Sequence, residues 1–129
     1  MLKLRTGIDM IEIERLETLN PNIRQRFLNR VYTPGELEDS ADVPASLAGR
    51  FAAKEAVAKA LGCGIGPVAW KEIEIRRGEQ GEPVLELHGN ARQMADQLGL
   101  STWSISISHT RTHATAVAVA IGLSQLALE

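Results

Sequence analysis

The sequence is poor in cysteine and in aromatic residues, and neither sign of charge strongly exceeds the other. Its single cysteine, Cys63, cannot form a disulfide within the chain, which is typical of proteins from a reducing cytoplasm. Aromatic residues make up 4% of the chain, too few for a surface that binds nucleic acid by base stacking. The formal net charge of −2 gives no basic field that would attract nucleic acid or a membrane.

Long apolar segments are missing as well. No run is long and apolar enough to span a bilayer, and no signal peptide is recognisable before the first predicted strand. We therefore expect a cytoplasmic protein that binds neither membranes nor nucleic acids. The 129 residues are 44% hydrophobic and 23% charged, which is ordinary for a globular protein. They suffice for a buried core, so we expect 1–129 to form a single domain.

The spacing of apolar residues predicts one initial strand, then helices, and a second half rich in strands. The predicted strands are 2–8, 70–77, 84–88, 103–108 and 114–121, and the predicted helices are 12–19, 22–31, a segment starting at Pro34, 44–61 and 90–98. Thr33, Pro34 and Glu36 are arranged as at a helix start, and Gly62 as at a helix end. This order favours an α+β fold, with an antiparallel sheet packed against the long central helix.

The last predicted strand has two different faces. Alanine occupies every second position from 114 to 120, whereas larger residues from Thr115 to Ile121 point the other way. Because small side chains let a neighbour approach closely, we expect a helix or another subunit to pack against the alanine face.

An isolated acid lies in the apolar segment near the N-terminus. Asp9 follows Gly7-Ile8 and precedes Met10-Ile11, at the end of the predicted first strand. Aspartate is among the residues preferred as helix N-caps. A carboxylate among apolar residues is also a candidate metal ligand. The pattern leaves both interpretations of Asp9 open.

The long central helix carries charged residues among alanines. Glu55 and Lys59 are four residues apart and share one face, and Lys54 projects about 100° from Glu55. Charges on a closely packed helix cost free energy unless they are paired. A divalent metal would pair with Glu55, and phosphates would pair with the lysines. The alternatives are a plain surface pair of Glu55 and Lys59, and a solvated Lys54.

Ser108 and His109 end the predicted strand 103–108. A lone histidine at a strand end is more often structural than functional. Neighbouring strand residues also point to opposite faces, so the Ser-His pair by itself says little about catalysis.

Taken together, three motifs resemble one enzyme family. Gly-Ile-Asp at 7–9, the Lys-Glu helix segment 51–62 and Ile-Ser-Ile-Ser-His at 105–109 occur in the order found in the holo-acyl-carrier-protein synthases. These are the short, single-domain 4′-phosphopantetheinyl transferases, and the resemblance extends from about residue 4 to about residue 121. It implies Mg²⁺-dependent transfer of 4′-phosphopantetheine from coenzyme A to a serine of apo-acyl carrier protein, in fatty acid biosynthesis. It also implies a homotrimer with active sites between subunits.

The resemblance further implies roles for individual residues. Asp9 and Glu55 would bind Mg²⁺ and, with Lys59, form the catalytic group. Glu55 would also help to orient or activate a metal-bound water that takes the serine proton, and Lys59 would stabilise the transferred phosphoryl group or protonate the leaving oxygen. Coenzyme A would be bound by Arg50, Lys54, Gly62, Gly64, Ser108 and His109. For Gly62, a helix C-cap explains the glycine equally well.

A local excess of arginine provides a candidate surface for the acidic carrier protein. The segment 22–33 contains Arg24, Arg26 and Arg30 but no acid, and Arg15 lies on the preceding predicted helix. We expect these four arginines to bind the carrier, and the alternative is an ordinary solvated helix face.

Two other functional classes remain to be compared with the transferase. A metal-dependent phosphodiesterase or nuclease also uses paired acids and a lysine, but the sequence lacks the basic stripe and aromatics of a nucleic-acid surface. A non-catalytic module that binds a carrier protein or a nucleotide would not need Asp9, Glu55 and Lys59 together.

Overall fold

The computed structural model describes residues 1–123, which form an α+β fold. Its elements are β1 (Leu2–Glu12), α1 (Glu14–Glu17), α2 (Pro21–Val31), α3 (Pro34–Ser40), α4 (Pro44–Leu61), β2 (Ile73–Arg77), β3 (Pro83–Leu87), α5 (Gly89–Gln97), β4 (Leu100–His109) and β5 (His113–Leu123). All strand pairs are antiparallel, in a three-stranded sheet ordered β1-β5-β4 and in the hairpin β2-β3. The predicted fold class is therefore confirmed. Within residues 1–123, no helix is long and apolar enough to cross a membrane.

Several element ends follow local sequence signals. Thr33 and Glu36 form the predicted capping box at the start of α3, and Gly62 ends α4 in the left-handed conformation, with φ of 81°. Several predicted bounds were wrong; for example, β4 begins at Leu100 and not at residue 103, and α1 covers only Glu14–Glu17 of the predicted helix 12–19. β1 continues to Glu12 because it pairs with β5 as far as Glu12 opposite His113. Residues 70–72 form a turn of 3₁₀-helix instead of the start of a strand.

The core lies between α4 and the three-stranded sheet. The alanines of β5 from Ala114 to Ala120 are buried, as are the alanines of α4 that face them. Gly7 in β1 lies so close to α4 that a Cβ atom there would overlap the carbonyl of Ala56. The helix α4 of the same chain thus packs against the alanine face. Of the two expected neighbours, a helix or another subunit, the helix is confirmed.

The other side of the three-stranded sheet, which we call the outer sheet face, is left open by the described residues. Its strands β1 and β5 expose the large apolar side chains of Leu2, Leu4, Ile8, Met10 and Val117. Contiguous apolar surface of this kind usually marks an interaction site.

A buried ion pair holds α4 against α3 and β2. The ammonium of Lys54 donates to Glu36 Oε1 at 2.7 Å and to the carbonyls of Ile73 and Trp70 at 2.6 and 3.0 Å. Both charged side chains are 0% exposed. The second oxygen of Glu36 accepts from the backbone N–H of Ile75 at 2.8 Å. Burial lowers the pKa of Lys54, and the charge of Glu36 opposes that change.

We expect Lys54→Met to lower the free energy of unfolding by about 3–5 kcal/mol, because it leaves Glu36 buried without its cation. Urea denaturation at fixed protein concentration measures this loss. Lys71→Met, which removes an exposed lysine, is the matched control and should change stability little. If Lys54→Met lowered the free energy of unfolding by less than about 1 kcal/mol, as little as the control does, the structural role of the ion pair would be contradicted.

Candidate active site

Asp9 lies in the middle of the β1–β5 ladder, opposite Ala116, on the face of the sheet that α4 covers. The N-cap position of the next helix is occupied by Ile13, so the interpretation of Asp9 as a helix cap was wrong. Its place follows from Gly7, two residues earlier on the same face. Because Gly7 lets β1 approach α4 closely, Asp9 comes within reach of side chains on that helix.

Asp9, Glu55 and Lys59 form one cluster. The ammonium of Lys59 donates to Asp9 Oδ1 at 3.2 Å and to the carbonyl of Ile8 at 2.9 Å. Glu55 lies one turn earlier on α4, on the same side as Lys59. Burial is the largest cause that raises the pKa of Glu55, the charge of Asp9 raises it further, and Lys59 lowers it. The strand and the helix therefore bring together the two acids and the lysine that the sequence singled out.

The donor set of this cluster suits Mg²⁺. Magnesium prefers oxygen ligands and commonly takes one or two carboxylates, with phosphates and water completing its shell. The Asp9 side chain is 19% exposed and that of Lys59 is 52% exposed, so a metal ion can reach the carboxylate and a phosphate can reach the ammonium. After burial, the charge of Asp9 is the second cause that raises the pKa of Glu55, and a cation bound between the two carboxylates would relieve their repulsion.

A basic cavity of about 310 Å³ lies between α4, the β2-β3 hairpin and β4. Its lining includes Ser46, Arg50, Arg76, Arg77, Glu82 and His109. Arg50 is almost fully buried and is held by hydrogen bonds from Nε to the carbonyl of Ile75 at 3.0 Å and from Nη1 to Ser46 Oγ at 2.6 Å. Arg76 is paired with Asp39, but Arg50, Arg77 and His109 outnumber the one lining carboxylate, so the cavity is suited to phosphate groups.

The cavity contains two arginines that sequence reasoning missed. Arg76 and Arg77 end β2, and the sequence pattern predicted only that they belong to a strand. Asp39 accepts from Arg76 Nε at 2.8 Å and from the backbone N–H of Arg77 at 2.9 Å, which holds the end of β2 against α3. The sequence feature that could have identified them is their position: two adjacent arginines directly precede the hairpin turn that begins at Gly78.

The acid cluster and the basic cavity lie at opposite edges of the sheet. Asp9 is on β1 and His109 is on β4, and β5 runs between these two edge strands. On α4, Arg50 and Glu55 are five residues apart and therefore point about 140° away from each other around the helix axis. One chain thus presents the acid cluster and the basic cavity, which we call the two half-sites, on different sides of the molecule.

Lys54 is not available to a ligand, so its prediction as a nucleotide-binding residue was wrong. Its ammonium is enclosed by Glu36 and two backbone carbonyls. The pattern suggested that a charge on this helix needs a partner, which is correct, but the partner is a carboxylate of the same chain.

The other predicted coenzyme A residues are dispersed. Ser108 pairs with Thr115 and points to the outer sheet face, whereas His109 points to the side of the basic cavity. The side chains of the Ser-His pair therefore lie on opposite faces of the sheet. Gly62 is the C-cap of α4, with the guanidinium of Arg5 packed over it. Gly64 has φ of 66° and open space beside it. Ligand contacts of Ser108, Gly62 and Gly64 stay predictions.

The four arginines predicted to bind a carrier lie on α1 and α2 in different surroundings. Arg24 makes an ion pair with Asp42, in the loop before α4. Arg26 and Arg30 are exposed one turn apart on α2, and the exposed Ile23 lies on the same side of that helix. Arg15 is exposed on α1.

Comparisons with known proteins agree with these features. The family model of the 4′-phosphopantetheinyl transferase superfamily matches residues 5–119. The holo-[acyl-carrier-protein] synthase of Moorella thermoacetica is 50% identical over 109 residues, covering 82% of this chain and 84% of that protein. The same enzyme of Herpetosiphon aurantiacus is 47% identical over 114 residues, covering 83% and 90% of the two chains.

Solved structures show the same fold. The Helicobacter pylori holo-[acyl-carrier-protein] synthase in complex with coenzyme A superposes with a TM-score of 0.81 at 34% identity, covering 89% of this chain and 98% of that one. The Neisseria meningitidis enzyme gives a TM-score of 0.80 at 34% identity, covering 90% and 96%. The chain therefore belongs to the holo-[acyl-carrier-protein] synthase family of the 4′-phosphopantetheinyl transferase superfamily.

Proposed function

We propose that this protein transfers the 4′-phosphopantetheine group of coenzyme A to a serine of an apo-acyl carrier protein and releases adenosine 3′,5′-bisphosphate. The observation that carries the proposal is the convergence of Asp9, Glu55 and Lys59 on one side of α4. The relatives' names identify the same reaction class, and one solved relative is a complex with coenzyme A. The reaction would serve fatty acid biosynthesis in the cytoplasm, where a free thiol such as Cys63 stays reduced.

In the proposed reaction, the serine hydroxyl of the carrier attacks the β-phosphorus of the coenzyme A pyrophosphate. A new phosphorus–oxygen bond forms to the serine, and the bond from the β-phosphorus to the bridging oxygen breaks. The electron pair of that bond stays on the departing bisphosphate. Catalysis of phosphoryl transfer consists mainly of positioning and charge stabilisation.

The acid cluster would supply both the positioning and the charge stabilisation. Asp9 and Glu55 would hold Mg²⁺, which when bound neutralises charge on the pyrophosphate oxygens. The Lys59 ammonium, which already donates to Asp9, is placed to stabilise charge on the transferred group or to protonate the leaving oxygen. Glu55 is also placed to orient a water that takes the serine proton.

The separation of the two half-sites favours a homotrimer with active sites between subunits. The basic cavity would hold the nucleotide phosphates of coenzyme A, while the acid cluster of a neighbouring subunit would hold the pyrophosphate. Head-to-tail contacts between different surfaces close into rings, which suits a cyclic trimer. The outer sheet face supplies apolar surface for the subunit contact.

The carrier protein would dock on the arginine-bearing helices α1 and α2. Arg26 and Arg30 are the best placed, because both are exposed on the same side of α2 as the exposed apolar Ile23. Arg15 and Arg24 would extend the basic surface towards its edges. An acidic partner would be attracted by these charges, and Ile23 would contribute an apolar contact.

We expect Glu55→Gln to reduce the rate of phosphopantetheine transfer at least about 100-fold, because it removes one of two charged metal ligands. The measurement is the mass increase of an apo carrier after incubation with coenzyme A and Mg²⁺. Glu38→Gln, at an exposed glutamate of α3, is the matched control and should keep full activity.

The same assay distinguishes the alternative functions. If Glu55→Gln transferred phosphopantetheine as fast as the wild type, the proposed site would be contradicted. Hydrolysis of DNA or RNA without transfer would favour a phosphodiesterase, and binding of carrier and coenzyme A without transfer would favour a non-catalytic module.

We expect Val117→Lys to convert the trimer into monomers, because Val117 lies on the central strand of the outer sheet face. Light scattering coupled to size-exclusion chromatography measures the mass, and the transfer rate should fall with it. The control is Val84→Lys, since Val84 has a similar exposure of 39% but lies on the hairpin. A wild type that is active as a monomer would rule out the shared site.

We expect the double substitution of Arg26 and Arg30 by Glu to raise KM for the carrier about tenfold, with KM for coenzyme A unchanged. The effect should diminish at high salt, where surface charges are screened. Arg92→Glu, on α5, is the control for a general change of charge. If both KM values rose equally, or if Arg92→Glu raised KM for the carrier as much, the carrier would not bind at Arg26 and Arg30.

A further inference from the structure

A second group of metal-ligating side chains lies on the β2-β3 hairpin. Glu74, Glu86 and His88 each offer one ligand atom, and these atoms all lie within 4.8 Å of one another. Among the residues described, 1–123, they form the one group of three or more such donors. We call this group the hairpin triad. It belongs to neither the acid cluster nor the basic cavity.

The strand register places negative charges against each other in the triad. Glu74 on β2 and Glu86 on β3 are direct partners across the antiparallel pair. Like charges directly opposite in a sheet are destabilising. Glu74 is also only 8% exposed, and a buried carboxylate needs a compensating charge. A cation bound between the two carboxylates would relieve their repulsion.

Two side chains near the triad can carry positive charge. His88 Nε2 lies 3.0 Å from Glu74 Oε1, but an imidazole is a cation only when protonated. Arg76 is the next residue on the same face of β2, and its Nε donates to Asp39 at 2.8 Å, so it is shared between the triad and a third carboxylate.

The surroundings of the triad hold its ligands in place. Thr33 Oγ1 donates to Glu74 Oε2 at 2.6 Å, which orients the carboxylate and leaves Oε1 towards His88. The backbone N–H of His88 donates to the carbonyl of Glu72 at 2.8 Å. Such outer hydrogen bonds to metal ligands are usual in protein metal sites. The exposed Glu86 and His88 side chains leave a path for an ion from solvent.

The triad offers three side-chain ligands to one ion. A metal held by three side chains keeps an open position for water or another small donor.

We propose that the hairpin triad is a binding site for a divalent transition metal, with Zn²⁺ the best fit, separate from the Mg²⁺ of the transfer reaction. One imidazole nitrogen and two carboxylates are ligands that Zn²⁺ accepts readily, whereas Mg²⁺ prefers oxygen alone. The bound ion would replace the hydrogen bond between Glu74 and His88 by bonds from both to the metal. It would thereby join the two strands of the hairpin.

Calorimetric titration of the metal-free, untagged protein with Zn²⁺, in excess Mg²⁺, tests the site. The expected result is one Zn²⁺ per chain for the wild type and for Glu55→Gln, and an affinity at least about 100-fold lower for His88→Ala and Glu86→Gln. His113→Ala, at an exposed histidine of β5, is the matched control and should bind as the wild type does.

A second measurement keeps the result independent of folding defects. Co²⁺ in place of Zn²⁺ should give visible absorption bands of a nitrogen- and oxygen-ligated ion in the wild type, and His88→Ala should lose them. Zn²⁺ should also raise the thermal midpoint of the wild type but not of His88→Ala. Absence of Zn²⁺ binding by the wild type, unchanged binding by a folded His88→Ala, or loss of binding in Glu55→Gln would overturn the proposal.

Discussion

The close contact between α4 and the three-stranded sheet is the constraint on which the other features depend. Alanines on both surfaces, together with Gly7, bring the backbones of β1 and α4 nearer than larger side chains would allow. This short separation lets the Lys59 side chain reach both Asp9 and the carbonyl of Ile8. The acid cluster is thus a consequence of small residues in the core.

The buried ion pair of Lys54 and Glu36 secures the opposite side of α4. It orients the helix about its own axis, so that Arg50 is directed to the end of β2 while Glu55 and Lys59 are directed to β1. A buried pair of this kind is costly to form, but breaking it is costlier, so it favours one orientation over others. The two lysines of the family motif therefore differ in role. Lys54 maintains the helix position, and Lys59 belongs to the proposed site.

Family membership and site geometry answer different questions about function. Membership selects the phosphopantetheinyl transferase over a nuclease or a non-catalytic module. The geometry adds that one chain carries an acid cluster at one sheet edge and a basic cavity at the other. It also shows that the alanine face of β5 is covered within the chain, whereas the outer sheet face is open among the described residues.

Local patterns in the sequence determined the class of fold and most element ends. The capping box of Thr33 and Glu36, the glycine end of α4 and the shared face of Glu55 and Lys59 are interactions within about four residues, which sequence spacing specifies directly. Only the tertiary structure decided which long-range partner each charge meets. Asp9 as a mid-strand residue, Lys54 as a core residue and Arg76 in the basic cavity all depend on contacts between distant segments. Spacing along one helix or strand contains no information about the surface that packs against it, and that surface determines whether a charged side chain faces solvent, a ligand or the core.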